Sequence, residues 1–240
     1  MTATMMENTL LLTGNDKSSG PLASKLLRGY LHKTSNSLCG IKGYASLIVA
    51  TDSSAEGSSR WARKILTEIE RMEEIFRSVG DLTPKSTSFR SGCDIQGVLS
   101  RSIDVVSNSH SDVEISTSSI PEGQLLLPEA DLQLVLGEIL NNSADASSTA
   151  KIRISGQVEV TGRVVLCLTD NGPGMTPELL KQACDPFVTT RDGHHGVGLT
   201  RVETILDMHN LAWSMTSQPG QSTTVTLEVA EALILNPEIV

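Results

Sequence analysis

Two glycine-containing segments have the composition of a nucleotide site. The first, residues 170–175, reads Asp-Asn-Gly-Pro-Gly-Met and follows the apolar strand candidate 164–169. An aspartate at the end of a buried strand offers a fixed carboxylate for a base edge, and the glycines after it let the backbone approach a ligand. The second segment contains Gly196 and Gly198 and precedes a helical pattern. Unpaired N–H groups at such a helix start suit phosphate.

Either glycine motif alone would be weak evidence, because such turns are common in α/β domains. Here they occur in order, joined by the helical stretch 176–184 and by Pro186-Phe187-Val188-Thr189-Thr190-Arg191. This combination resembles the ATP-binding core of sensor histidine kinases, in the superfamily shared with gyrase, mismatch-repair and heat-shock chaperone ATPases. The Pro-Phe-x-Thr-Thr-Arg version is similar to the nitrogen-regulation branch, which usually has Lys at the position of Arg191.

Two polar residues on a predicted helix form a candidate metal site. Glu138 and Asn142 are four apart in the helical pattern after Pro128, so they project together. A carboxylate and an amide oxygen aimed at one point suit Mg²⁺ with bound phosphates, although the polar face of any amphipathic helix has the same spacing. The pair resembles the superfamily's N box. Asn142 matches the magnesium-binding asparagine of that box. The position of Glu138 is commonly Asn in the kinases and Glu in the ATPases, and in the ATPases this glutamate positions the attacking water.

The N-terminal third has the pattern of two long helices. An a/d seam follows Pro21, a turn cluster interrupts it at residues 51–58, and a second apolar pattern runs to Leu82. A lone hairpin of helices about 45 and 36 Å long leaves much apolar surface wet, so we predict a homodimer with a four-helix bundle. The first seam consists of Leu27, Leu31, Leu38, Ile41 and Ile48, with Thr34 and Ala45 in the remaining places.

His32 directly follows the seam residue Leu31, so we predict that it points off the seam towards solvent. The run 31–44 reads Leu-His-Lys-Thr-Ser-Asn-Ser-Leu-Cys-Gly-Ile-Lys-Gly-Tyr and resembles the phosphoacceptor box of sensor kinases. Asn36 lies one turn after His32, on the same face. The resemblance associates the Asn36 position with dephosphorylation of the partner.

Lys33 departs from that family pattern. The family usually has Glu or Asp directly after the histidine, where the acid is thought to orient the imidazole and take its proton. A protonated lysine has no hydrogen-bond acceptor, so Lys33 cannot fill that role at neutral pH. The departure leaves open whether kinase or phosphatase activity dominates.

The resemblance also implies a role for each site residue. Asp170 would read the adenine amino group, Asn142 with Glu138 would hold Mg²⁺, Gly196 and Gly198 would admit the triphosphate of ATP, and His32 would attack the γ-phosphate. The lid of the site would contain Thr189, Thr190 and Arg191. The other positions implied to contact ATP are Asp145, Gly172, Gly174, Val197 and Leu199.

Composition indicates a soluble globular chain of one large or two modest domains. The 240 residues are 39% hydrophobic and 20% charged, with a net charge of −9. An acidic chain without a basic patch is unsuited to nucleic acid or anionic lipid, and its apolar runs are too short to cross a bilayer. Four scattered cysteines indicate reduced thiols. We therefore expect a cytoplasmic protein with neither a nucleic-acid nor a membrane partner.

We predict an α+β fold in three segments. Residues 1–20 would be a disordered tail, residues 21–83 the helical hairpin for dimerisation and histidine phosphotransfer, and residues 92–240 the catalytic ATP-binding domain. The hairpin would precede an α/β sandwich of the type that histidine kinases share with gyrase and the heat-shock ATPases, one mixed sheet faced by helices. A linker lies around Pro84. The tail leaves no room for a sensor domain, so a separate sensor or input protein is expected.

The resemblance implies a soluble histidine kinase of a two-component system. It would use ATP and Mg²⁺ to phosphorylate His32, then pass the phosphoryl group to an aspartate of a response regulator with a receiver domain. Two alternatives stay open. Lys33 motivates an ATP-binding phosphatase or phosphotransfer dimer with weak autokinase activity. Glu138 motivates an ATPase switch of the same superfamily, although the helical hairpin argues against it.

Overall fold

The computed structural model describes residues 10–13, 22–50, 55–80, 92–125, 127–160, 162–191, 194 and 196–229. The described residues fall into two compact units. One comprises those within Met1–Asp16, Lys85–Cys184 and Gly198–Val240, and the other those within Lys17–Pro84 and Asp185–Val197. In chain order the elements are β1 (Leu10–Thr13), α1 (Leu22–Ala50), α2 (Ala55–Gly80), β2 (Cys93–Asp94), α3 (Ile95–Ser109), β3 (Glu114–Ser118), β4 (Gln124–Leu125), α4 (Glu129–Ala144), β5 (Lys151–Val158), β6 (Val164–Asp170), α5 (Pro177–Lys181), α6 (Gly198–Met208), β7 (Ala212–Gln218) and β8 (Ser222–Val229).

The first unit is built on a six-stranded mixed sheet of order β1-β7-β8-β6-β5-β3. Only the β3–β5 pair is parallel, and the other neighbours run antiparallel. Val164 and Val165 of β6 are both buried, and from Leu166 to Asp170 buried and half-buried residues alternate, as expected for a strand with one face in the core. Asp170 ends β6 opposite Thr223 of β8, which places its carboxylate at one edge of the core.

Helices α3, α4 and α6 cover the buried face of this sheet. Asp94 caps α3 by accepting hydrogen bonds from the N–H groups of Gln96 and Gly97. Thr176 caps the short α5 in the same way, and Pro177 occupies its first turn. The core joins these helices to the sheet through, among others, Val98, Val106, Leu132, Leu136, Leu140, Ile152, Ile154, Leu166, Leu168, Val202, Leu206, Trp213, Met215 and Leu227. The predicted α/β sandwich is confirmed.

The predicted disordered tail is wrong for residues 10–13. Strand β1, which starts with the leucine run, pairs with β7 in the register Leu10↔Ser217 to Thr13↔Ser214. An exposed strand edge presents unpaired N–H and C=O groups, and β1 satisfies those of β7. Periodicity could not reveal this because four residues are too few to distinguish a strand from a polar tail. The rest of 1–20, the predicted linker 81–91 and residues 230–240 lie outside the described residues.

The second unit contains the helical hairpin of α1 and α2. Helix α1 matches the predicted length, whereas α2 begins at Ala55, inside the segment predicted to be a turn. Tyr44 and Trp61 stack across the hairpin with ring centroids 5.8 Å apart, and Lys64 lies over both rings. Gly40 of α1 faces Glu68 of α2, whose side chain lies 3.6 Å from where a Cβ would stand, an ordinary contact distance.

The predicted a/d seam of α1 divides into two faces. Thr34 and Ser37 are buried in the hairpin, and Ile41 and Ile48 are half-buried. Leu31 and Leu38 are instead 55% and 54% exposed. The hydroxyl of Thr34 donates to the carbonyl of Tyr30 at 2.8 Å, which satisfies this polar group at a buried position of the seam. Two leucines of the seam thus lie on the outer surface of the hairpin.

The loop between α5 and α6 groups with the hairpin rather than with the sheet. Phe187 and Val197, each 8% exposed, form a small apolar cluster with Tyr30 of α1. The sequence predicts that Asp185–Val197 belongs to the catalytic domain, because it lies within that stretch of sequence. The described residues of this loop instead group with the second unit, so a contiguous boundary at residue 92 does not describe them.

Candidate functional site

Asp170 presents a buried carboxylate at the end of β6. It is 8% exposed, and its Oδ1 accepts from the backbone N–H of Gly172 at 2.8 Å and of Thr223 at 3.2 Å. Oδ2 accepts from the hydroxyl of Ser143 at 3.2 Å. Each carboxylate oxygen has two lone pairs, so Oδ2 retains capacity for one more donor. An exocyclic amino group of a base is a suitable donor.

The turn after Asp170 is held against the β7–β8 hairpin. The N–H of Gly220 donates to Pro173 O at 2.6 Å, and Met175 N–H donates to Ser217 Oγ at 2.8 Å. Gly174 has φ +63°, and a Cβ there would lie 2.0 Å from the carbonyl oxygen of Gln218. Only glycine fits such a position. The turn is therefore a rigid support for the aspartate rather than a loose loop.

The polar pair on α4 meets the start of α6. A Cβ on Gly198 would lie 2.7 Å from Glu138 Oε2 and 3.4 Å from Asn142 Nδ2, so both side chains face the same stretch of bare backbone. The predicted common projection of Glu138 and Asn142 is confirmed. Oε1 of Glu138 accepts from a guanidinium nitrogen (NH1) of Arg201 at 2.6 Å. Arg201 was not among the predicted site residues.

Asp145 and Leu199 have partners inside the protein. The Asp145 carboxylate accepts from His110 Nε2 at 3.0 Å, linking the ends of α3 and α4. Leu199 packs half-buried against the main core. These contacts give Asp145 and Leu199 structural tasks, and their contacts with ATP stay predictions.

The loop residues of the second unit form a closed turn. Phe187 has φ +68°, unusual for a bulky residue, and its N–H donates to Gly196 O at 2.6 Å. Gly196 itself has φ +67°, and a Cβ there would lie 2.5 Å from Val188 O. Arg191 N–H donates to the Thr189 hydroxyl at 3.1 Å. Gly193 and His195 lie outside the described residues.

The phosphoacceptor candidate on α1 is accessible. His32 is exposed, as predicted, and its Nε2 lies 3.4 Å from the amide nitrogen of Asn36 one turn later. Lys33, the residue that departs from the family pattern, has its Nζ 6.0 Å from the centroid of the Phe187 ring.

Three features of the described structure follow from no sequence motif. They are the hydroxyl of Ser143 at Asp170, the guanidinium of Arg201 at Glu138, and the ammonium of Lys33 near the Phe187 ring. Ser143 follows Asn142, so the motif did mark its neighbourhood, but only the β6–α4 packing brings its hydroxyl to Asp170. Arg201 sits on the first turn of α6 and reaches Glu138 across 63 residues of sequence. No local spacing predicts a pair of that kind.

The residues present fit a nucleotide with a divalent metal only in part. Asn142 carries an amide oxygen of the type Mg²⁺ prefers, and it lies beside the bare backbone of Gly198 at the start of α6. Glu138 fits a metal less well, because one of its oxygens is engaged by Arg201. Among the residues that the structure describes, no group of three or more His, Cys, Asp or Glu side chains could hold a metal by itself.

Comparison with known families assigns this domain. Residues 128–233 match the family described as "Histidine kinase-, DNA gyrase B-, and HSP90-like ATPase". Asp170, Asn142, Glu138 and Gly198 all lie within the match. Residues 128–233 are therefore similar to the ATPase domain of this superfamily.

Curated relatives are sensor kinases. The chain is 24% identical over 206 residues to the sensor histidine kinase ZraS of Salmonella typhi, covering 84% of this chain and 44% of that protein. It is 26% identical to the histidine-protein kinase AtoS of Escherichia coli, covering 89% and 35%. It is 25% identical to the histidine kinase/phosphatase NtrB of Vibrio alginolyticus, covering 87% and 63%. The chain thus spans less than two thirds of each, and these identities do not single out the nitrogen-regulation branch.

Solved structures share the fold. The Acinetobacter baumannii histidine kinase AdeS superposes with a TM-score of 0.59 at 16% identity, covering 85% of this chain and 98% of that one. Full-length ShkA in complex with AMPPNP gives 0.58 at 20%, covering 89% and 47%. In the part of this chain that the structure describes, no helix is both long and apolar enough to span a membrane.

Proposed function

We propose that the chain is a histidine kinase of a two-component pathway, which phosphorylates His32 from Mg²⁺-ATP and passes the phosphoryl group to an aspartate of a response regulator. The observation that carries this proposal is the exposed imidazole of His32 with Asn36 at 3.4 Å, on a chain that also contains the ATPase domain. An ATPase that served only as a switch would have no need for that histidine. The named relatives ZraS, AtoS and NtrB have the same class of activity.

The chemistry requires alignment and charge neutralisation more than covalent assistance. Asp170 would hold the adenine amino group through Oδ2, and Asn142 would hold the metal that neutralises phosphate charge. An imidazole nitrogen of His32 forms a bond to the γ-phosphorus while the bond to the bridging oxygen breaks and ADP leaves with the electron pair. The imidazole proton goes to solvent, since Lys33 is no acceptor when protonated.

Labelling with ATP marked at the γ-phosphate tests the proposal. The purified chain in magnesium buffer should acquire label that is labile in acid and stable in alkali, and His32→Ala should remove it. Ser46→Ala, an exposed change on the same helix, should keep it. Label that survives His32→Ala would contradict the assignment of the phosphoacceptor.

The same proposal includes a homodimer and separate signalling partners. The exposed Leu31 and Leu38 of α1 support a four-helix bundle between two copies. A response regulator with a receiver domain follows from the reaction, and an upstream sensor or input protein and a cytoplasmic location remain our predictions. Phosphotransfer from the labelled chain to purified receiver domains would identify the regulator.

Lys33 supports a second candidate, a phosphatase or phosphotransfer dimer with weak autokinase activity. The residue after the candidate phosphoacceptor is a lysine rather than an acid, and its ammonium lies 6.0 Å from the centroid of the Phe187 ring. If this reading is right, Lys33→Glu should raise autophosphorylation at least tenfold, and Asn36→Ala should abolish dephosphorylation of the regulator. Lys42→Glu, an exposed lysine on the same helix, is the charge-matched control for Lys33→Glu. No effect of either Lys33→Glu or Asn36→Ala would count against this candidate.

A further inference from the structure

An ion pair inside the candidate nucleotide site joins Glu138 of α4 to Arg201 of α6. The Nη1 atom of Arg201 and the Oε1 atom of Glu138 are 2.6 Å apart, and the side chains are 20% exposed for Arg201 and 24% for Glu138. Such partial burial limits screening by water, so the pair is stronger than a surface ion pair. Within the described part of the chain, Nε of Arg201 is buried without a hydrogen-bond partner, so this guanidinium is held mainly through Glu138.

The two oxygens of Glu138 have different surroundings. Oε1 is engaged by the guanidinium of Arg201. Oε2 faces the bare backbone at Gly198, 2.7 Å from where a Cβ would stand, beside Asn142. The carboxylate therefore lies where a triphosphate would enter, but one of its oxygens is already occupied by a cation.

That geometry opposes the water-activating role that a glutamate at this position could take. A general base must accept a proton in the transition state, and its efficiency falls as its anionic form is stabilised by a neighbouring positive charge. The ion pair also fixes the side chain, which hinders it from turning both oxygens towards a water. Glu138 without Arg201 would be a more effective base.

We propose that Arg201 is a positioning residue that restrains Glu138 from activating water, so that the γ-phosphoryl group is kept for His32 rather than lost by hydrolysis. This inference rests on the proposed kinase function. In the restrained reaction, the oxygen of water bonds to the γ-phosphorus, its proton passes to Glu138, and the bridging oxygen leaves with ADP. Arg201 acts on this reaction only through the carboxylate.

Phosphate release is measured in a His32→Ala background, where no phosphohistidine can form. Arg201→Met, which keeps chain length and removes the charge, should raise release from Mg²⁺-ATP at least tenfold, and Arg201→Lys should stay near the parent. Adding Glu138→Gln to Arg201→Met should return release to the parent rate or below. Arg163→Met is the matched control, because it breaks the 2.7 Å pair with Glu228 at the opposite end of β6.

A further readout separates positioning from a merely structural role. Calorimetric titration with a non-hydrolysable ATP analogue, with and without Mg²⁺, should give affinities for Arg201→Met within threefold of the parent.

Unchanged or slower release by Arg201→Met with nucleotide affinity retained would overturn the proposal. A tenfold loss of affinity would also overturn it, by showing that Arg201 holds the nucleotide itself. If Arg201→Met does not fold because the Glu138 charge is left unpaired, the double variant removes that charge as well. Arg201→Gln then tests the same expectation with a neutral side chain that can still donate a hydrogen bond to Glu138. If the wild-type chain forms no phosphohistidine, the kinase proposal is refuted, but the rates of phosphate release by the variants can still be compared with one another.

Discussion

At the scale of single residues, hydrogen bonds from the protein fix the orientation of the Asp170 carboxylate. Three donors from the protein, on Ser143, Gly172 and Thr223, converge on its carboxylate and leave one oxygen able to accept from a ligand. Such a carboxylate is oriented before a ligand arrives, which lowers the entropy cost of binding. The adenine-reading role that the resemblance implies requires this kind of acceptor.

Asp170→Asn should weaken ATP binding at least tenfold, or about 1.4 kcal/mol. The amide of the variant has one oxygen and one NH₂ group in place of two acceptor oxygens. In either orientation its NH₂ group faces another donor, on the protein or on the ligand, so one contact is lost. Calorimetric titration with Mg²⁺-ATP measures the effect, and Asp104→Asn on the exposed face of α3 is the control. Equal affinity in a folded Asp170→Asn protein would remove this residue from the site.

Cys93 should give the chain a specific loss of stability in alkali. It is 1% exposed, and burial, with a smaller contribution from the charge of Glu129, raises the pKa of its thiol from 9.0 to about 11. Between these two values the unfolded state releases the thiol proton and the folded state retains it. The free energy of unfolding therefore falls as pH rises from 9 to 11, by on the order of 1–2 kcal/mol.

Urea unfolding at pH 8 and pH 11 measures this loss. Other groups also titrate in that range, so the relevant quantity is the difference between the wild-type chain and Cys93→Ala. The wild type should lose more stability than the variant, while Cys39→Ala, at an exposed thiol, should match the wild type. Parallel losses in the wild type and Cys93→Ala would contradict the assigned cause.

At the scale of elements, helix α1 has a notch that receives the loop before α6. A Cβ on Gly29 would lie 2.4 Å from the Phe187 ring and 3.4 Å from Pro186 O, whereas a Cβ on Gly43 of the same helix would meet nothing within 4 Å. Glycine destabilises a helix interior by about 1 kcal/mol relative to alanine. The structure thus gives a packing reason for Gly29 but none for Gly43.

Gly29→Ala and Gly43→Ala should therefore behave oppositely. Gly43→Ala should raise the melting temperature, because it gains helix propensity without a clash. Gly29→Ala should displace Phe187 and increase hydrogen exchange in residues 185–191. If both changes protected that loop equally from exchange, the notch would not be what holds it.

Sequence patterns predicted the elements with uneven success, and the failures have physical causes. Long helices such as α1 and α4 were recognised because many apolar residues repeat at 3.6-residue spacing. The start of α2 at Ala55 was missed because serine, glycine and acidic residues there have the composition of a turn. Strand β1 was missed because its stabilisation comes from the edge of β7, which is remote in sequence.

At the scale of the whole molecule, the outer stripe of α1 bears on assembly. Leu31 and Leu38 are more than half exposed in a single chain, as is Leu66 of α2. Fully burying a leucine is worth roughly 1.5–3 kcal/mol, and a two-fold interface would bury each of these twice. These side chains are the specific basis for expecting two copies in solution.

Leu31→Glu combined with Leu38→Glu should convert the dimer to a monomer at micromolar concentration, since like charges would face each other across the bundle. Light scattering coupled to size exclusion measures the mass against 25.7 kDa for one chain. Val105→Glu, at an exposed apolar position of α3, should leave the mass unchanged. A wild-type chain that is already monomeric would refute the predicted assembly.

The sequence by itself predicted an ATPase-like domain, the hairpin before it, and the candidate residues of a nucleotide site. These follow from short motifs and helical periods, which are local properties of the chain. Only the tertiary structure decided which groups hold those residues: Ser143 on Asp170, Arg201 on Glu138, and Phe187 over Lys33. Each such pair joins segments that are distant in sequence, and their contact depends on how helices and strands pack, which no local spacing encodes.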